Sequence, residues 1–167
     1  MYNKKQGGRI CVEIMQHYME DILNLFQDYK IEKYTYEDKG YDFLDLENCF
    51  LTIKNPENSG DLSIKIGKEF TLFFGGWHYE YTLDEEGYRK LIDDIRNIIN
   101  CVKCVYSLRL ENITHYALGG VMLEDSNDRK TPRNLLNGIN EFKKIRTKGS
   151  KLRLIAWQTE YNKEFVF

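Results

Sequence analysis

From Ile31 to Tyr81 the chain carries no helical period, yet this stretch lies between two strongly amphipathic helical segments. Ile31 to Tyr36, Tyr41 to Leu46, Cys49 to Lys54, Asp61 to Ile66 and Glu69 to Tyr81 are rich in β-branched and aromatic residues. Turn chemistry separates them: Asp38-Lys-Gly40, Asn55-Pro-Glu-Asn-Ser-Gly60 and Gly67-Lys68. Leu62, Ile64 and Ile66 alternate with Ser63 and Lys65, the pattern of a half-buried antiparallel strand. Connections this short make hairpins, because a parallel pair needs a crossover of a dozen or more residues.

The flanking helices are expected at about 9–29 and 84–100. Val12, Met15, Met19, Ile22, Phe26 and Tyr29 form one stripe, with Glu13, Gln16, Glu20, Asn24 and Gln27 opposite. In the second helix Tyr88, Leu91, Ile92, Ile95, Ile98 and Ile99 form the apolar face, and Asp84, Glu85 and Glu86 occupy the start, where the macrodipole favours anions. Strands are expected at Val102 to Leu110 and His115 to Leu123. A third helix follows, started by Thr131-Pro132, cored by Leu135, Leu136, Ile139, Phe142 and Ile145, and stopped at Gly149. Leu152 to Gln158 and Tyr161 to Phe167 complete an α-β5-α-β2-α-β2 order. This is an α+β fold, a predominantly antiparallel sheet packed by three helices, in one domain spanning 1–167.

Composition removes several function classes. Lys+Arg 24 against Asp+Glu 26, with a pI near 6.0, lacks the basic footprint of a nucleic-acid binder. The most apolar run, Phe70 to Trp77, is eight residues long and includes Thr71, Gly75 and Gly76, so no membrane span is expected. No secretory pattern opens the chain, and four Cys then read as reduced thiols of a cytoplasmic protein. Scarce Ala and Pro beside abundant Ile, Asn, Lys and Tyr suggest an A+T-rich coding sequence of a low-G+C bacterium.

Two constellations could carry chemistry. His78-Tyr-Glu80 followed by Cys101-Val-Lys-Cys104 has the spacing of a zinc deaminase site, with His78, Cys101 and Cys104 as ligands and Glu80 moving protons. Asn100 stands where that pattern has Pro, His78 lies on an expected strand, and the cysteines follow a helix instead of preceding one. A redox dithiol is disfavoured by the helix carboxyl end, which raises a thiol pKa; Lys103 is the local compensation. The alternative is that Cys104 is simply an inward-facing apolar residue. The second constellation is Trp77, His78, Tyr79, Glu80 and Tyr81. On one strand Trp77, Tyr79 and Tyr81 share a face and His78 and Glu80 share the other, ~6.5–7 Å apart, too far to hydrogen-bond directly. His17 falls on the polar side of the first helix, and His115 lies on a later strand. Nine basic residues between Arg129 and Arg153 could form a patch for an acidic partner or a solvated helix face. Phosphate loops and nucleophile elbows are absent from the sequence.

The segment Glu-Phe-Thr-x-Phe-Phe-Gly-x-Trp-His-x-x-Tyr, with the amphipathic helix and Val-rich strand after it, resembles small uncharacterised proteins of low-G+C bacteria. Some of these look like the immunity partners of polymorphic toxins, and the resemblance covers about residues 61–110. It implies a non-enzymatic protein that binds a partner such as a toxin encoded nearby, needs no cofactor and performs no chemistry. The contact residues expected are Trp77, His78, Tyr79, Glu80 and Tyr81. A zinc-dependent hydrolase or deaminase is the alternative, and a homo-oligomer is compatible with either.

Overall fold

A computed structural model describes residues 4–57, 60–110, 113–120 and 151–166. The backbone gathers into two compact units that interleave along the sequence, Met1–Phe74 with His78–Asp93 and Gly75–Trp77 with Asp94–Phe167. The fold is α+β as expected, but its strands form two antiparallel sheets where one was anticipated. The expected third helix lies outside the described residues.

In the first unit α1 (Lys4–Leu25) precedes a sheet of β1 (Ile31–Tyr34), β2 (Cys49–Ile53), β3 (Leu62–Ile66), β4 (Glu69–Phe74) and β5 (Trp77–Thr82), ordered as in the sequence. Two expectations within it are corrected. Tyr41–Leu46 is a run of turns, because Asp38 and Asp45 close hydrogen-bonded loops around it. Glu69–Tyr81 is two strands, because Gly75 and Gly76 adopt φ of 56° and 87° and turn the chain back between them. Both central residues of a two-residue type I′ hairpin need positive φ, which glycine adopts without a Cβ clash.

The register explains the core. Leu51 lies opposite Ile64 and Ile64 opposite Leu72, so one face of the sheet carries a row of aliphatic side chains with no exposure. Ile53, Leu62, Ile66, Phe70 and Phe74 extend it. Met15, Tyr18 and Ile22 of α1 and Phe26 in the turn after it are buried; the Tyr18 ring meets Phe70 edge-on at 5.1 Å and Tyr88 at 4.6 Å. Fully burying each such side chain is worth about 1.5–3 kcal/mol, so this layer dominates the unit's stability.

The chain enters α2 (Glu85–Ile99) through a cap. Asp84 Oδ1 accepts hydrogen bonds from the Gly87 backbone N–H at 2.7 Å and the Thr82 hydroxyl at 2.9 Å. Those bonds hold the Asp84 carboxyl below its ordinary pKa, the Gly87 N–H contributing most. Gly87 sits so close to the preceding strand that a Cβ would lie 2.0 Å from the Thr82 carbonyl oxygen.

The second unit begins within α2, where Ile95, Ile98 and Ile99 are buried. The helix ends at Cys101, a non-glycine residue at φ 54°. Its N–H donates to Ile98 O at 3.0 Å, and the N–H of Val102 donates to Asn97 O at 2.8 Å; this is a Schellman cap with cysteine in the left-handed position. A sheet ordered β7-β6-β8-β9 follows, from β6 (Lys103–Leu110), β7 (Ile113–Gly120), β8 (Lys151–Ile155) and β9 (Lys163–Val166). A 3-10 turn, Thr159–Tyr161, precedes β9, shortening the expected last strand. Gly75 belongs to this unit and packs on Ile155, whose Cγ2 would lie 2.9 Å from a Cβ there.

Candidate functional site

The residues singled out on β5 divide as the pleat requires, but not as a single recognition face. Tyr81 is 5% exposed and is a packing residue, which removes it from the expected contact set. Tyr79 is exposed and meets the Tyr81 ring edge-on at 5.0 Å; Trp77 is half-buried. His78 and Glu80 are both exposed, and the His78 ring lies 5.9 Å from Phe73.

That contact leads to a surface which the sequence reading did not identify. Strand alternation sends Phe50 and Phe73 to the face of the first sheet away from its aliphatic core. Their rings are 5.8 Å apart across β3, where Ser63 stands opposite Phe73 and its small side chain leaves room for the approach. The Ser63 hydroxyl is within 3.2 Å of the Thr52 hydroxyl beside it. The turns before β2 lay two further rings on Phe50, Tyr41 at 5.6 Å and Phe43 edge-on at 6.2 Å. Tyr41 in turn stacks on Tyr34 of β1 at 4.1 Å with an interplanar angle of 8°. An aromatic strip therefore crosses the sheet from Tyr34 to His78. Phe43 is 63% exposed, and Tyr34, Tyr41, Phe50 and Phe73 are half-buried.

A charged network borders the strip on β1. Glu32 accepts a hydrogen bond from the Tyr34 hydroxyl at 2.6 Å and pairs with Lys30 at 2.7 Å and Lys54 at 3.8 Å; Lys54 also pairs with Asp61. The Lys30 and Tyr34 hydrogen bonds outweigh partial burial and hold the Glu32 carboxyl down to about 2. The same bond to Glu32, followed by desolvation, pushes the Tyr34 phenol up to about 12. Tyr34 is thereby fixed as a donor with its ring flat against Tyr41.

Among the described residues no three His, Cys, Asp or Glu side chains gather as metal ligands. Cys101 and Cys104 are each 1% exposed, and the Cys101 sulfur accepts the Gln158 N–H at 3.4 Å. The first cysteine closes a helix and the second is buried in the second unit. His17 is exposed on α1, and His115 occupies β7 opposite Leu108. Among the described residues no helix is long and apolar enough to cross a membrane.

The two units carry opposite formal charge. The first contains eleven Lys and Arg against eighteen Asp and Glu, a net −7; the second contains thirteen against eight, a net +5. The aromatic strip belongs to the acidic unit. No protein-family model, curated protein or solved structure matches this chain.

Proposed function

We propose that this chain is a non-enzymatic protein-binding module of the immunity or antitoxin kind, and that the aromatic strip of the first sheet is its contact surface. The observation that carries the reading is the strip itself: Tyr34, Tyr41, Phe43, Phe50, Phe73 and His78 form an accessible row where an antiparallel sheet ordinarily presents polar side chains to water. Aromatic rings held by their neighbours lose little side-chain entropy on binding and supply large contact area. The excess of carboxylates in the same unit favours a basic partner, steering its approach and adding specificity. His78 and Glu80 extend the surface along β5. The cytoplasmic setting and the toxin as partner belong to this proposal.

The test is co-purification with the product of the adjacent gene, for the native chain and for Phe50→Ser and Phe73→Ser. The expected result is a complex at micromolar concentration that either substitution weakens at least ~10-fold, the usual effect of truncating a central interface residue. No complex with that product, or equal affinity in both variants, would overturn the reading. A mass measurement in solution shows whether a second copy of the chain takes the same surface.

A further inference from the structure

The basic cluster at 129–153 found in the sequence ends in β8, where two of its members meet a third cation from elsewhere in the chain. Lys151 pairs with Arg109 of β6 in the strand register, Arg153 with Ser107. Across the other edge of β6, Arg109 lies opposite Thr114 of β7. Paired strands run about 4.8 Å apart, so three cationic side chains are brought within one small area of one sheet face. They line a cavity of about 300 Å³ together with Ser107, Thr114 and Glu164. Glu164 receives Arg153 Nε at 2.6 Å and lies 3.6 Å from Lys151 Nζ.

We infer that this cavity is a binding site for a phosphomonoester. Among the described lining residues cations outnumber carboxylates, a sign that suits a phosphate dianion. The Glu164 bond is made through Arg153 Nε and orients the guanidinium at the cavity. Hydroxyls of Ser107 and Thr114 on the two neighbouring strands add neutral donors, and Ser107 is buried. Donors arriving from β6, β7 and β8 suit a tetrahedral oxyanion, whose oxygens point in several directions. Lys151 and Arg153 are more than half exposed, so binding is screened by salt and of modest affinity.

The experiment is an amide-shift titration of the full chain with inorganic phosphate and with adenosine monophosphate, against sodium chloride at equal ionic strength. Saturable shifts at Ser107, Thr114 and Arg153 are expected with both phosphates and not with chloride. Lys151→Gln and Arg153→Gln should each weaken binding about tenfold, as loss of one charge-assisted hydrogen bond implies, with Lys151→Gln leaving all distant amides unmoved. Vesicles containing phosphatidic acid form a parallel arm: saturation by the nucleotide alone assigns a soluble source, and saturation by the vesicles alone assigns a lipid headgroup. Shifts that follow ionic strength only, or affinities unchanged in both variants, overturn the inference.

Discussion

Glu32 shows how one surface carboxylate can be tied to a row of aromatic rings. Its pKa of about 2 lies below the ordinary 4.5, so its contribution to stability is present above pH 4.5 and is lost as pH falls through about 2. Tyr34 works in the opposite direction: raised to about 12, it contributes fully below pH 10 and is lost as pH rises through about 12. The expected outcome is a stability plateau between these limits, with Tyr34 among the tyrosines that ionise late in an ultraviolet titration. Tyr34→Phe should diminish that late step and raise the Glu32 pKa, which carboxyl-carbon NMR measures directly. Gly87 makes a different point. Helix propensity alone would have Gly87→Ala stabilise α2 by about 1 kcal/mol. A Cβ 2.0 Å from the Thr82 carbonyl must displace backbone, and such overpacking costs typically 1–3 kcal/mol. Steric cost wins, and thermal unfolding of Gly87→Ala should be lowered by several degrees.

The elements were legible to unequal degrees. Both helices were readable because Ile22 and Phe26, and Leu91 to Ile98, recur at helical spacing and are buried together. Tyr18 is absent from the expected stripe, yet it is buried and its ring packs on Phe70. Aromatic content alone places Tyr41 and Phe43 on a strand, whereas they lie back on Phe50 from a loop stabilised by aspartates. Consecutive positive φ values make the Gly75-Gly76 pair a hairpin turn inside the stretch expected as one strand. The aromatic strip had a signal that was not used: in β4 Phe70, Leu72 and Phe74 already fill the inward parity, so Phe73 had to face outward. At Phe70, which has no exposure, Phe70→Ala should cost about 3–5 kcal/mol through the cavity left beneath Tyr18 and Tyr88. Denaturant titration checks this; a loss below ~1 kcal/mol would mean that the aromatic cluster contributes little there.

At the scale of the whole molecule, a net charge of −2 conceals two strongly charged halves. The overall charge alone predicts passage through a cation exchanger at pH 7. The net +5 of the second unit predicts retention on a sulfonate resin at low ionic strength, with elution by ~0.15 M salt, where the Debye length shrinks to about 8 Å. Arg109→Gln combined with Lys151→Gln should elute earlier; unretained native protein would contradict the expectation. The chain enters the second unit at Gly75, leaves it at His78 and returns at Asp94, in the middle of α2. Any single cut in the gene therefore leaves part of one unit joined to the other. Acidic and basic halves that alternate in this way along the chain cannot be shuffled between genes as finished cassettes, so the charge of each must diverge by point substitution.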